Sequence, residues 1–216
     1  MATAMTFNSL KADVKKYLER GSIADTQVYE EIPTLINLAE RNLARALKVT
    51  GTMNVVTTAL VAGTSTYAKP DRWRRNVSME YAVGNSPLQT RQAIYARSYE
   101  YCREYWPNAE LRGAPLFYAD YDYANWLVVP TPDAAYPLQI IYYQQPPLLD
   151  DTQQTNWLTE YAPSALLYRT LLETEPFLKN DTRMQTWRGL YDEAIDQVVV
   201  EDLQKMTDRS SDRTGD

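Results

Sequence analysis

Histidine is absent from all 216 residues, and cysteine occurs once, as Cys102. Without histidine the chain lacks the usual general base, the usual activator of a serine or cysteine nucleophile and the commonest transition-metal ligand. Catalytic triads and most zinc sites are therefore excluded. A lone cysteine excludes an internal disulfide and any cysteine-built zinc site. At helical spacing between Tyr99 and Tyr105, Cys102 reads as a small core residue rather than a reactive thiol. Glycine is scarce as well: there are 7, and none builds a phosphate-binding loop. Positive charge is short, with 22 Lys and Arg against 28 Asp and Glu, and the net charge of -6 argues against wrapping nucleic acid through its phosphates. No apolar run reaches the roughly 18 to 20 residues that span a bilayer. Met1 to Thr6 carries no basic stretch ahead of an apolar one, so neither a membrane anchor nor a standard export signal is expected.

What the chain does have is tyrosine, 17 of them beside 5 Trp and 3 Phe. Such amphipathic rings suit protein interfaces and equally suit half-buried strand faces, and both readings stand at this point. Carboxylates are the only groups left for catalysis. Asp120 and Asp122 flank a turn and Asp150-Asp151 lie in a loop, where a glycosidase pair or a hard-metal site would be the chemistry to look for. Turn aspartates commonly bond the local backbone, however, and no calcium-loop spacing is present, so we expect no enzyme, no metal and no cofactor. Arg72, Arg74 and Arg75, with Trp73 among them, form the one basic cluster. It reads as a solvated turn, or as a contact for phosphate or a partner's acids.

Periodicity predicts an α+β protein, with terminal α-helices forming a bundle and a central antiparallel β-rich lobe. Thr6 caps a helix over 7–20 that Gly21 stops. A second helix follows with Ile32, Leu35, Ile36, Ala39, Leu43 and Leu47 on its apolar stripe, starting near Pro33, and with Glu40, Arg41, Arg45 and Lys48 on a solvated face. Strands are predicted over 50–60 and 76–83. A helix of about 90–106 turns Ile94, Tyr95, Tyr99, Cys102 and Tyr105 to one side. A three-stranded meander then spans 115–143, with alternation that leaves one face wet. Pro163 suits the first turn of a helix better than Asn156 suits a cap, and Asn180-Asp181 turn the chain into a last helix through Met184, Trp187, Tyr191, Ala194, Val198 and Leu203. The expected organisation is one domain over 1–206, with the bundle at 1–48 and 156–206 and the lobe at 49–155. A polar, flexible tail at 207–216 has nothing to bury.

Several of these pieces, in this order, resemble the head-to-tail adaptor (connector or neck) proteins of tailed phages, the family that includes tail tubular protein A of short-tailed phages. They are Ile32-Pro33-x-Leu35-Ile36-x-x-Ala39-Glu40, Gly51-Thr52, Lys69-Pro70-Asp71, Gly113-Ala114-Pro115, the Trp126 to Pro132 strand, Tyr142-Tyr143-x-x-Pro146-Pro147-Leu148, Asn156-Trp157-Leu158 and the tail with Asp208-Arg209. Lys69 departs from the leucine usual at its position. The resemblance implies a structural virion protein in the neck between capsid and tail, assembled in the host cytoplasm. It would form a ring homo-oligomer of about twelve copies docked under the portal protein. Tail or nozzle proteins would be its other partners, and double-stranded DNA would pass through without tight binding. On that reading Thr207, Asp208, Arg209, Ser210, Ser211, Asp212 and Arg213 are a candidate portal-docking tail. Asp120, Asp122, Asp150 and Asp151 are candidate channel-facing acids. A carbohydrate-binding or tail-fibre module is the alternative, with exposed Tyr and Trp as stacking platforms.

Overall fold

The computed structural model describes residues 4–19, 25–84, 89–178 and 183–206. Gly21, Asn180-Asp181 and the whole tail 207–216 lie outside them. Among the described residues 6 helices combine with mostly antiparallel sheets, an α+β fold. By internal contacts the chain divides into a helical unit, Met1–Thr52 with Gln145–Asp216, and a β unit, Met53–Gln144.

Helix α1 (Phe7–Leu18) starts where Thr6 predicts. The Thr6 hydroxyl accepts from Ser9 N at 3.1 Å while Ser9 Oγ accepts from Thr6 N at 2.8 Å, so two otherwise orphaned donors are satisfied. It closes at Glu19, not at Gly21: Glu19 takes the left-handed conformation at φ 56° and donates to Lys16 O. Helix α2 (Thr26–Ala46) runs through Pro33 rather than starting beside it. An internal proline costs roughly 3 kcal/mol. Burial of Val28 and Ile32 in the preceding turn, on the same stripe as Ile36, Ala39 and Leu43, offsets that cost.

In the β unit the strands are β1 (Met53–Leu60), β2 (Thr66–Ala68), β3 (Trp73–Val83), β4 (Thr90–Ala93) and β5 (Tyr95–Ala96). The short helix α3 (Tyr99–Tyr105) comes next, then β6 (Arg112–Gly113), β7 (Phe117–Asp120), β8 (Asn125–Val129), β9 (Thr131–Pro132) and β10 (Tyr136–Gln144). The helix predicted at about 90–106 is therefore two strands and fewer than two turns of helix. Val83 to Glu80 of β3 pair with Thr90 to Ala93, and this tertiary pairing overrides the helical spacing. One sheet has the order β1-β10-β3-β4 and the other β2-β8-β7-β5. The predicted three-stranded meander is thus split. β7 and β8 form a hairpin, while β10 leaves it to lie between β1 and β3, pairing with β1 from Tyr136 to Tyr143.

Leu60, Met79, Tyr81, Leu138 and Ile140 of the first sheet pack with Trp126 and Tyr118 of the second. On the other face of β7 and β8, Ala119, Leu127 and Val129 pack with Cys102 of α3. Both faces of that hairpin are covered, so the wet face predicted from its alternation is not found. Cys102 is a fully buried free thiol, as its spacing predicted.

The helical unit resumes with α4 (Trp157–Tyr161), α5 (Pro163–Leu178) and α6 (Met184–Met206). Asn156 and Pro163 both begin helices: the Asn156 side chain accepts from Leu158 N and Thr159 N, and α5 opens at the proline. Leu10, Ile36, Leu43, Leu149, Leu166, Leu171, Trp187 and Ala194 share one core. Leu149 explains why this unit reclaims residues 145–155, which the sequence alone assigns to the lobe.

Candidate functional site

Glu40 does not lie on a solvated face. It is 2% exposed, its Oε2 accepting from Leu149 N at 3.1 Å and its Oε1 from Asn156 Nδ2 at 2.6 Å. Asn156 Nδ2 also donates to Pro147 O, while its Oδ1 caps α4. One carboxylate thus holds α2, the returning chain and the first turn of α4 together. Burial pushes its pKa up to about 7, against the hydrogen bonds from Leu149 and Asn156. The position was legible in principle, since Glu40 is four residues from Ile36 and three from Leu43, on the stripe itself. Arg41, Arg45 and Lys48 are exposed as predicted. On α6 the predicted stripe holds at Trp187 and Ala194 but fails at Met184 and Leu203, which are exposed. Asp202 is buried instead, accepting from Thr50 N at 2.9 Å and from the Thr50 hydroxyl.

The four singled-out aspartates divide between the units, and each is engaged by its neighbours. Asp122 Oδ1 accepts from Ala124 N at 2.7 Å and Asn125 N at 2.8 Å, closing the β7–β8 turn. The Asn125 side chain, then the Ala124 amide, hold its pKa below the usual range. Asp120 pairs with Lys69 Nζ at 2.8 Å, and the same ammonium sits 4.4 Å from the Trp73 ring centre. Asp150 Oδ1 accepts from Thr152 N and Gln153 N, both at 2.7 Å, and its pKa is lowered, chiefly by the Thr152 hydroxyl. Asp151 pairs with Lys11 at 3.1 Å. These are turn and surface-pair roles. Among the described residues no group of three or more His, Cys, Asp or Glu side chains is placed to hold a metal ion, and no helix is long and apolar enough to cross a membrane.

The β unit carries a cluster of exposed aromatic and arginine side chains. Ser98 Oγ accepts from Tyr101 N and starts α3, whose buried side is Cys102. Beside it the helix displays Tyr101 and Tyr105, both exposed, one turn apart and stacked with planes 3° from parallel. Both rings meet the Phe117 ring edge to face, at centroid distances of 5.4 and 5.0 Å. The Arg97 guanidinium lies 5.6 Å from Tyr101 and 5.4 Å from Phe117, and Arg103 lies 5.3 Å from Tyr99 while its Nε donates to the Tyr99 hydroxyl. Tyr99 leans on Tyr121, and Tyr123, 95% exposed, stands on the turn that Asp122 closes. Ring pairs of this kind contribute about 0.5 to 1.5 kcal/mol each and exposed cation–π pairs about 0.5 to 1. Such contacts hold the rings in place before any partner arrives, so less side-chain freedom is lost on binding. Tyrosine and arginine are also the residue types that carry binding energy at interfaces.

Tyrosine frequency pointed to this surface, yet helical spacing turned the wrong rings inward. Tyr95, Tyr99 and Tyr105 are exposed, and only Ile94 and Cys102 of that predicted stripe are buried. None of the 5 tryptophans is exposed. The candidate docking tail, Thr207 to Arg213, lies outside the described residues. The family model described as SU10 adaptor protein matches residues 5–215. No curated protein matches the chain.

Proposed function

From the premise that this chain belongs to the SU10 adaptor protein family, and so is a structural adaptor protein of a phage, we propose that it assembles as a ring docked under the portal. The ring joins capsid to tail in the virion neck and surrounds the DNA channel. Beyond the family, the supporting observation is the braced, solvent-exposed tyrosine and arginine surface of α3, β7 and the β7–β8 turn. A patch of this kind, meeting a different patch on the next copy, gives a head-to-tail contact, and such contacts close into a ring when the rotation closes. About twelve copies each carrying a charge of -6 give an acidic assembly that repels the DNA backbone rather than retaining it. Asp120, Asp122, Asp150 and Asp151 are exposed acids available for that duct. The polar tail from Thr207 reaches the portal, its Arg209 and Arg213 pairing with portal carboxylates.

Native mass spectrometry with and without purified portal protein tests the assembly. We expect weak association alone and a closed ring with portal; a strict monomer in both mixtures overturns the reading. The carbohydrate-binding alternative loses its best stacking platforms, because every tryptophan is at least partly covered.

A further inference from the structure

β4 pairs with β3 only along Glu80 to Val83, and Ile94 N donates to Met79 O at 2.8 Å. Beyond that point β3 has no neighbouring strand on this side among the described residues, because it lies between β10 and β4 in its sheet. A cleft of about 500 Å³ opens along the stretch, and both sheets line it. Trp73 and Arg75 come from β3, Arg97 from just after β5, Tyr118 and Asp120 from β7, and Trp126 from β8.

Two features of this lining are unsatisfied within the chain. Trp126 is 1% exposed, yet its indole Nε1–H has no hydrogen-bond partner. A buried donor left unpaired costs about 1 to 3 kcal/mol, which natural proteins seldom tolerate without a use. The second feature is charge. Arg75 takes part in none of the described ion pairs, while the one carboxylate of the lining, Asp120, is already held by Lys69 at 2.8 Å; the Arg97 guanidinium lies against the Tyr101 and Phe117 rings instead. The cleft therefore presents an unpaired indole donor and uncompensated positive charge. A strand edge beside it offers backbone groups to an extended chain.

We propose that this cleft binds an acidic, extended segment of a partner polypeptide, with a carboxylate seated against Arg75 and within reach of the Trp126 indole N–H. The Arg75 guanidinium gives the charge-assisted, directional bonds that a carboxylate takes best, and the open edge of β3 sets the segment's direction. This grip on a neighbour does not depend on ring formation, since one copy of the chain contains the whole cleft.

The test uses the full chain labelled with nitrogen-15, reading its indole N–H signals as a capped hexaglutamate peptide is added. Single Trp→Phe variants at the other four positions identify the Trp126 signal even if Trp126→Phe itself fails to fold. The expected result is a saturating, salt-sensitive shift of the Trp126 signal with hexaglutamate and none with hexaglutamine. Binding should weaken at least tenfold in the Arg75→Gln variant, whose exposed position leaves the other indole signals in place. No movement of the Trp126 signal, equal movement with hexaglutamine, or unchanged affinity in the Arg75→Gln variant would each overturn the site.

Discussion

The two units of this molecule use their polar and aromatic residues in opposite ways. In the helical unit polar groups are drawn inward: Glu40, Asn156, Thr159 and Asp202 are buried and each has its partners. In the β unit large rings are put outward, with Tyr95, Tyr99, Tyr101, Tyr105, Tyr121 and Tyr123 exposed. A buried polar network fixes one packing arrangement, because any slip leaves a donor or acceptor unpaired. Exposed rings braced against each other do little for the isolated fold and suit contact with something else. One unit is organised for its own integrity and the other for its neighbours.

The largest effect should come from emptying the helical core. Ile36→Ala removes a fully buried side chain and should cost about 2 to 5 kcal/mol in denaturant unfolding. If it costs no more than an exposed tyrosine substitution, the contrast between the units is wrong.

Glu40 should leave a pH signature of the next size. Its pKa in the fold is about 7 against an ordinary 4.5, so the folded state holds a proton that the unfolded state gives up between those values. The stability contributed by that proton is complete below about pH 4.5, declines as pH rises and is gone above about pH 7, up to roughly 3 kcal/mol in all. Urea midpoints should therefore fall from about pH 5 to about pH 8, and Glu40→Gln should flatten that slope. An unchanged slope in the variant would remove Glu40 as its source.

Gly51→Ala should cost about 1 to 3 kcal/mol, because the added Cβ overlaps the Trp157 indole and must displace it. Thermal unfolding measures the loss, and a Trp157→Ala background should remove most of it. The smallest effect on stability belongs to Tyr123→Ser, under about 0.5 kcal/mol. The same substitution should weaken association with neighbouring copies or portal in native mass spectrometry. A variant that unfolds early, or that assembles as well as the parent, would break the assignment of this surface to contact.

Much of the helical unit was readable because its signals are short in range. The Thr6 cap, the stripe of Ile36, Ala39 and Leu43, and the proline start of α5 each depend on residues within about one or two turns. Read locally, Asn156 and Pro163 compete for one helix start, yet the chain uses both for successive helices. The strands were found more reliably than their partners. Leu138 to Tyr143 reads as a strand from its composition, but whether it completes a hairpin or crosses to another sheet is a matter of distant pairing with Met53 to Thr58. The tyrosine surface was sensed by count and misplaced in detail, since a three- or four-residue spacing exists in Tyr95, Tyr99, Cys102 and Tyr105 whether or not a helix forms there.

Local spacing, capping and the absence of histidine were enough to establish an α+β chain with helical ends, a free core cysteine and no triad chemistry. These properties rest on which atoms exist and on neighbours a few residues away. Only the packed molecule settled that Glu40 is inside, that β10 joins β1, and that the tyrosines of α3 face outward. Glu40 and Asn156 meet across 116 positions of sequence. A contact of that range leaves no periodic trace in either segment, because its free energy comes from desolvation and pairing that exist only once the core has closed.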